Sequence, residues 1–363
     1  MSLPSTAAST SATTSTTAEA RAAFAHRAPL APGDRVWVVA PSGRTDDAGF
    51  DHAQQVLTQW GLDVRMAPHI RDAHPRAGYL AGADDDRRAD LVDAWCDPET
   101  AAVICLRGGY GAMRLLDGID WDVMREHAFR PDGRPKLLTG SSDVTALHRA
   151  WEHHLGVPTL HCPMVGNAVF RTSAVIPDDV RSWLFEPWAG RTVTRPGAHT
   201  LVPGAVTGFT TGGNLSLLAG SLGAPENPVS AGRPVPAGNV SAYPAEFPRI
   251  ALLEDVDEDL YRLDGFLLQL QRAGWLDALG ALVGGSWQDC ARKEPGKQEA
   301  EPLDAIDALL REAAGHLGIP VVSELGFGHD PDALTVPLGV LAHLEAPEAG
   351  TPVLTILDPK EVA

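Results

Sequence analysis

The amino-acid sequence predicts an α/β fold that is divided into two domains. Short apolar runs alternate with amphipathic helical patterns, which is typical of a mostly parallel sheet with helices on both faces. A length of 363 residues allows two domains of roughly 150 residues each. The alternation weakens between residues 171 and 204, where Pro and Arg accumulate as they do in connections between domains.

The first domain is predicted over residues 29–170. It follows an Ala/Ser/Thr-rich tail, residues 1–28, which is too polar to bury a core and is expected to be disordered. Its predicted strands begin near residues 35, 62, 101, 136 and 159, and its predicted helices begin near residues 51, 84, 112 and 142. This order is a βαβ rhythm.

The second domain is predicted over residues 205–363. Its predicted strands begin near residues 205, 249, 281, 319, 335 and 352, and its predicted helices begin near residues 215, 261 and 302. A Pro/Gly/Ala-rich loop, residues 224–248, is longer than most loops of compact domains. We expect it to be either a lid over the site or a passive surface insertion.

Charge and cysteine usage argue against several classes of function. A net charge of -18 disfavours nucleic acid and anionic membranes as partners, because binding to phosphates needs clustered Lys and Arg. No apolar run approaches the roughly 20 residues of a membrane helix. Cys96, Cys105, Cys162 and Cys290 form no CxxC pair, so neither a disulfide framework nor a thiolate metal site is indicated. A cytoplasmic protein without metal or cofactor is expected.

A candidate nucleophile lies where the strand that begins at Lys136 breaks into a helix. Ser141 and Ser142 occupy this corner, and apolar residues then recur at helical spacing up to Gly156. A serine at such a corner is exposed at the carboxyl edge of a sheet, and the amide of the next residue, Asp143, can stabilise an oxyanion. The alternative is that the serine only caps the helix.

A glycine-rich turn, residues 107–111, follows the strand that begins near residue 101. It lacks the dinucleotide fingerprint, because Arg114 stands where the third glycine would be. The remaining interpretations are a plain turn, or a turn whose exposed amides bind an oxyanion or a substrate carboxylate.

Two further residue types could complete a site for acyl transfer. Glu254 ends an apolar strand, and His329 follows a later strand between Gly328 and Asp330. A Ser, a Glu and a His at the ends of separate strands form the constellation of a nucleophile, its base and the carboxylate that orients the base. The alternative for both is a solvated loop residue. From the sequence, His148, His153, His154 and His161 are interpreted as surface or core histidines, because they lack the spacing of a helical zinc site.

Five segments in order carry a family resemblance: residues 106–116, 140–147, 212–215, 253–256 with Tyr261, and 328–329 with 337–339. Together they resemble the LD-carboxypeptidases, a serine-peptidase family that includes muropeptide LD-carboxypeptidases and microcin C self-immunity peptidases. The resemblance covers nearly all of residues 30–360.

The resemblance implies an N-terminal Rossmann-like α/β domain and a C-terminal β-rich, swivelling-type α/β domain with the site between them. It implies a homodimer and a triad of Ser142 as nucleophile, His329 as base and Glu254 as its partner. The backbone amides implied for the oxyanion are those of Gly109 and Asp143. The residues expected to contact substrate are Gly108, Tyr110 and Asn214.

The resemblance thus implies a metal-free serine carboxypeptidase that cleaves an LD peptide bond. Its predicted substrate is a small peptide, a cytoplasmic muropeptide that loses a C-terminal D-amino acid during peptidoglycan recycling. One alternative is an immunity-type peptidase that cleaves a toxic peptidyl-nucleotide, and another is a non-catalytic binding protein on the same scaffold. Three departures bear on specificity: Ser141 replaces a usual aromatic residue, Gly265 replaces a usual Arg after Asp264, and the loop at 224–248 is long.

Overall fold

The computed structural model describes residues 23–227, 247–292 and 301–362. Residues 228–246 of the loop expected to be a lid lie outside the described residues. The strands are β1 (Arg35–Val39), β2 (Asp63–Met66), β3 (Thr100–Cys105), β4 (Leu137–Gly140), β5 (Thr159–His161), β6 (Thr192–Val193), β7 (His199–Val202), β8 (Gly204–Asn214), β9 (Arg249–Val256), β10 (Leu279–Gln288), β11 (Val321–Ser323), β12 (Val336–Leu338), β13 (Leu341–Ala346) and β14 (Val353–Ile356).

The α-helices are α1 (Asp47–Gln59), α2 (Asp84–Cys96), α3 (Trp121–Glu126), α4 (Thr145–Ala150), α5 (Ala168–Thr172), α6 (Ile176–Phe185), α7 (Leu215–Gly220), α8 (Leu260–Arg272), α9 (Pro302–Ala314) and α10 (Pro359–Val362). Their ends follow from local chemistry. At α1, for example, the Asp46 carboxylate accepts a hydrogen bond from the Gly49 amide, which caps the helix. In the described ranges, no helix has both the length and the apolar character needed to cross a membrane.

The first sheet has the strand order β12-β5-β4-β3-β1-β2. The pairings among β1 to β5 are parallel. Every residue of β3 and β4 is buried, as expected of strands in a parallel sheet that is covered on both faces. The carboxyl ends of β1, β3, β4 and β5 therefore meet at one edge of this sheet.

The second sheet has the strand order β6-β14-β13-β8-β9-β10-β11-β7. Its centre, from β8 to β11, is parallel, and the flanking strands pair in the antiparallel sense. The predicted class, an N-terminal Rossmann-like α/β unit followed by a β-rich α/β unit, is confirmed. Residues 171–204, the predicted connection, contain α6 and the strands β6 and β7 of the second sheet.

One prediction about the second domain is wrong. The sequence predicts one strand over residues 335–344 in that domain, but the segment contains two strands, β12 and the start of β13, and β12 pairs antiparallel with β5 of the first sheet. Pro337 lies in this strand. A proline has no N–H to donate, and an edge strand tolerates this because only one of its sides is paired. The chain thus returns to the first sheet before it completes the second.

The prediction of a disordered tail over residues 1–28 is wrong for its last six residues. Phe24 is 1% exposed, and its ring packs edge-on against Trp188 with 4.8 Å between the centroids. The Trp188 amide also donates to the Phe24 carbonyl. An aromatic side chain buries enough apolar area to order the backbone around it. Residues 1–22 lie outside the described part of the chain.

Candidate active site

Ser142 stands at the corner between β4 and the helix that follows. Its φ is +59°, in the left-handed region that residues other than glycine avoid at a cost of about 1–2 kcal/mol. A 3₁₀ turn over Ser142–Val144 leads into α4, and the last turn, Trp151–Leu155, is π-helical and ends at Gly156. The predicted strand-to-helix corner is therefore present. The helix predicted as one element consists of a 3₁₀, an α-helical and a π-helical segment in succession. Such a strained corner projects the serine side chain from the sheet edge.

The glycine-rich turn packs directly beside Ser142. A Cβ on Gly108 would lie 2.9 Å from the Ser142 Cβ and 3.2 Å from its Oγ, so only glycine permits this approach. Gly109 has φ +107°, which also favours glycine. The Asp143 carboxylate accepts a hydrogen bond of 2.8 Å from the Ala112 amide. This bond ties the helix start to the end of the turn and fixes the two predicted oxyanion segments relative to each other.

Ser142 lines a cavity of about 460 Å³ at the carboxyl edge of the first sheet. Its lining residues are Thr45, Asp46, Arg107, Gly108, Gly109, Ser142, Met164, Gly166, Asn167, Ala168 and Arg171. Three predicted site residues, Ser142, Gly108 and Gly109, are therefore brought together. A cavity with a serine hydroxyl in its wall and two guanidinium groups nearby can bind a small anionic molecule and present it to a nucleophile.

Glu254 and His329 form a second group of predicted site residues, and neither is among the residues that line the cavity beside Ser142. His329 Nδ1 lies 2.6 Å from Glu254 Oε2, and Glu254 is fully buried near the end of β9. The His329 amide donates to Ser286 Oγ at 3.0 Å, which anchors the loop to β10. Gly328 has φ +133°, and a Cβ there would meet Ser286 Oγ at 2.4 Å. The predicted pairing of these two residues in space is thus observed.

Glu254 and His329 stabilise each other's charged forms. Burial alone would raise the pKa of Glu254, but the positive charge of His329 and the imidazoles of His161 and His329 outweigh burial and hold the pKa at about 2. Burial alone would lower the pKa of His329, but the charges of Glu254, Asp255 and Asp330 raise it. An ionised Glu254 accepts a hydrogen bond from the Nδ1–H of His329, which leaves Nε2 as the basic nitrogen.

The structure adds His161 to the predicted residues. Its Nε2 lies 3.7 Å from Glu254 Oε1, and both side chains are buried. Among the described residues, neither that oxygen nor either ring nitrogen of His161 has a hydrogen-bond partner. His161 ends β5 of the first sheet, so this contact joins the two sheets beneath the site. Its position at the carboxyl end of a strand in the nucleophile domain is the sequence signal that could have distinguished it from a core histidine.

Asn214 is buried and is not among the residues that line the cavity. Its backbone amide donates to Thr145 Oγ1 at 2.9 Å, and its side-chain oxygen accepts from the Leu217 amide and so caps α7. Its Nδ2 donates to Asp255 Oδ1 at 2.9 Å, and Asn214 is only 2% exposed. Burial, followed by the nearby charge of Glu254, raises the pKa of Asp255 to about 6. Asn214 therefore links α4, β8 and β9, and its contact with substrate stays a prediction.

Tyr110 lies at the surface beyond the glycine-rich turn. It is 52% exposed, and its ring contacts Tyr79, which is 64% exposed, with 5.8 Å between the centroids. Tyr110 is not among the cavity-lining residues. Its backbone continues directly from Gly109, so an exposed aromatic pair stands next to the turn that forms one wall of the cavity.

One group in the described part of the chain has the spacing of a cation site. The ligand atoms of His69, Asp72 and Asp86 lie within 4.8 Å of one another. His69 Nδ1 is held by Asp90 at 2.8 Å. None of these side chains lines the cavity that contains Ser142, so this group has no place in the chemistry of that cavity.

The chain is similar in sequence to proteins that are named as carboxypeptidases, and this similarity defines its class. A Streptomyces coelicolor protein named as a carboxypeptidase is 44% identical over 322 residues, or 89% of this chain and 93% of its own. The murein tetrapeptide carboxypeptidase of Pseudomonas aeruginosa is 32% identical over 86% of this chain and 93% of its own.

The particular family follows from two family models. The LD-carboxypeptidase N-terminal domain matches residues 36–162, and the LD-carboxypeptidase C-terminal domain matches residues 207–344. The chain therefore belongs to the LD-carboxypeptidase family, and the family resemblance noted from the sequence is confirmed.

Two solved structures share the fold. The muramoyltetrapeptide carboxypeptidase from Oxalobacter formigenes has a TM-score of 0.69 and 28% identity, covering 89% of this chain and 99% of its own. MccF in complex with glutamyl sulfamoyl guanosine has a TM-score of 0.70 and 18% identity, covering 91% of this chain and 98% of its own. At 18% identity the likeness to MccF concerns the fold alone.

Proposed function

We propose that this protein is a serine carboxypeptidase that hydrolyses an LD peptide bond and releases a C-terminal D-amino acid from a muropeptide. The observation that carries the proposal is the position of Ser142. It has φ +59° and lines a cavity, where it lies between the glycine-rich turn and the start of α4. The name of the Pseudomonas aeruginosa relative supports a murein tetrapeptide as the substrate.

In the proposed first step, His329 Nε2 takes the proton of the Ser142 hydroxyl as Oγ attacks the scissile carbonyl carbon. The amides of Gly109 and Asp143 stabilise the oxyanion that forms. The C–N bond then breaks, the leaving amine takes the proton from His329, and an ester on Ser142 remains. Glu254 keeps the imidazole in one tautomer and stabilises its charged form throughout.

In the proposed second step, a water molecule attacks the ester carbonyl. His329 takes a proton from this water and then returns it to Ser142 Oγ as the ester bond breaks. The shortened peptide leaves with a new carboxylate, and the enzyme returns to its starting state. The cycle needs no metal or cofactor, because every proton moves between the triad, the substrate and water.

The proposed setting is the cytoplasm, where recycled muropeptides are processed, and the proposed assembly is the homodimer that the family resemblance implies. Fractionation of cells that produce the protein tests the first proposal. Light scattering of the purified full chain tests the second, since a mass of one chain would contradict it.

A second candidate is an immunity-type peptidase that cleaves a peptidyl-nucleotide. The observation that favours it is the exposed Tyr79 and Tyr110 pair beside the glycine-rich turn, because exposed aromatic rings can stack on a base. The likeness in fold to MccF is compatible with it. The two candidates share the triad chemistry and differ only in the group that leaves.

Incubation with two substrates distinguishes these candidates. The purified protein is mixed with a tetrapeptide muropeptide and, separately, with an aminoacyl-sulfamoyl adenosine, and the products are identified by mass spectrometry. The proposal expects D-alanine from the muropeptide with wild type and a loss of about 10⁴-fold in turnover with Ser142→Ala. Cleavage of the adenosine conjugate alone would instead favour the immunity-type peptidase. Cleavage of neither would favour the non-catalytic binding protein.

A further inference from the structure

The cavity beside Ser142 has an unequal balance of charge. It is lined by the guanidinium groups of Arg107 and Arg171 and by one carboxylate, Asp46. Arg171 donates to both Asp46 oxygens, at 3.0 and 3.3 Å, so these two charges neutralise each other. Among the residues that the structure describes, no carboxylate forms an ion pair with Arg107, whose Nη1 donates to the backbone oxygen of Arg44. With two arginines and one carboxylate in its lining, the cavity has a net positive charge.

Arg107 is also adjacent in the chain to Gly108, which packs against Ser142. The backbone on each side of Arg107 is fixed: the Gly166 amide donates to the Leu106 oxygen at 3.0 Å, and the Gly43 amide donates to the Gly108 oxygen at 2.9 Å. The exposed Arg107 side chain thus extends from a rigid base at the cavity wall.

We propose that Arg107 binds the C-terminal carboxylate of the substrate and so restricts this site to cleavage of the last peptide bond. The inference rests on the proposed function. A single leaving residue separates the scissile carbonyl from the terminal carboxylate, and neighbouring residues are spaced about 3.8 Å apart along a chain. Arg107 and Ser142 line the same cavity, so one small substrate can reach both side chains. A guanidinium is suited to the task because it binds a carboxylate through two parallel hydrogen bonds.

This assignment makes Arg107 a determinant of specificity rather than of the bond-breaking chemistry. A longer peptide would place an uncharged amide where the carboxylate belongs, and the guanidinium would lose its ion pair. Asp46 pairs with Arg171, so among the described residues that line the cavity Arg107 is the arginine left without an ion pair. The selection should therefore appear as a difference between substrates that carry a terminal acid and those that carry a terminal amide.

The test compares a tetrapeptide that ends in D-alanine with the same peptide ending in D-alanine amide. The kcat/KM of each is measured for wild type, Arg107→Gln and Arg44→Gln. Arg44→Gln is the matched control, since it removes the same charge from a neighbouring exposed residue that does not line the cavity. Labelling of Ser142 by a small phosphonate in each variant reports whether the fold and the nucleophile are intact.

We expect Arg107→Gln to lower the acid-to-amide ratio of kcat/KM by about 10- to 100-fold, the range for a hydrogen bond to a charged group. Most of this change should come from the acid substrate, while the Arg44→Gln ratio should equal that of wild type. An unchanged ratio in Arg107→Gln, or an equal loss on both substrates, would overturn the inference. Failure of wild type to release D-alanine from the acid would instead overturn the proposed function, and this inference with it.

Discussion

At the scale of single residues, the central feature is a buried carboxylate between two imidazoles. Glu254 Oε2 holds His329 at 2.6 Å, and Oε1 faces His161 at 3.7 Å. A carboxylate without solvent stays ionised only where neighbouring groups stabilise its charge. The two histidines do so at different oxygens, His161 from β5 of the first sheet and His329 from the loop that follows β11. The ionised Glu254 in turn determines which nitrogen of His329 is basic.

The raised pKa of His329 predicts the pH dependence of activity. The imidazole must be neutral at Nε2 to act as a base, so kcat/KM should fall as the pH decreases through a pKa above the usual value of about 6.5. Glu254→Gln removes the largest of the charges that raise this pKa. In the Glu254→Gln variant, the fall of kcat/KM at acid pH should therefore occur at a lower pH than in wild type. The kcat should also fall by up to about 10⁴-fold, as in other triads. A fall of kcat/KM at the same pH as in wild type would contradict this role for Glu254.

Substitution of His161 tests its role as a positioning residue. His161→Leu leaves Glu254 Oε1 buried against an apolar group, a change that costs about 1–3 kcal/mol. We expect kcat/KM to fall by about 10-fold with His161→Leu and to be largely restored with His161→Gln, whose amide can donate to the same oxygen. Equal kinetics of the Leu and Gln variants at equal thermal stability would show that the hydrogen-bonding capacity of this residue is irrelevant.

At the scale of elements, the site depends on three tight turns that follow strands of the two sheets. Ser142 follows β4, Gly108 and Gly109 follow β3, and His329 follows β11. Each turn contains a residue with positive φ, which lets the backbone reverse within a few residues. The predicted catalytic residues are thus carried by turns at strand ends, and the turns with Ser142 and Gly108 pack against each other.

Gly108 tests how closely two of these turns must pack. In Gly108→Ala the new Cβ would lie 2.9 Å from the Ser142 Cβ, so one of the two segments must shift. We expect kcat/KM to fall by at least about 10²-fold, the size of effect produced by a displacement of roughly 1 Å at a reacting group. The control is Gly265→Ala in α8, where nothing lies within 4 Å of the added Cβ. It should keep full activity and be as stable as wild type or slightly more so.

The sequence could predict those parts of the site that depend on local patterns. The corner at Ser142 follows from an apolar run that ends at a Gly-Ser-Ser-Asp segment, and the pairing of Glu254 with His329 follows from the family motifs. β12 was misplaced because its partner, β5, lies far away in the chain and no local pattern encodes the pairing. His161 is interpreted from the sequence as a surface or core histidine, because its contact with Glu254 exists only after the two sheets pack.

At the scale of the whole molecule, the site is built where the two sheets touch. The Asn214 amide donates to Thr145 Oγ1, His161 faces Glu254, and β12 pairs with β5. These contacts connect the sheet that leads into Ser142 with the sheet that carries Glu254 and the His329 loop. The relative position of the two halves of the site therefore depends on buried polar contacts as well as on apolar packing.

Thr145→Val tests one of these contacts with little change in shape. The substitution leaves the Asn214 amide, which is buried, without its acceptor. We expect a loss of about 1–3 kcal/mol in the free energy of unfolding, measured by urea titration. Thr58→Val is the matched control, because the Thr58 hydroxyl bonds to the Gln54 oxygen on an exposed helix face. A loss no larger than that of Thr58→Val would contradict the proposed importance of the contact.

The central claim is that Ser142 is the nucleophile, and covalent labelling tests it most directly. A serine-directed phosphonate is added to wild type, Ser142→Ala, Ser141→Ala and His329→Ala, and the modified peptide is identified by mass spectrometry. We predict one adduct, on Ser142, in wild type and in Ser141→Ala, and none in Ser142→Ala or His329→Ala. Labelling of Ser142→Ala at the wild-type rate, or an adduct on Ser141 in wild type, would contradict the account.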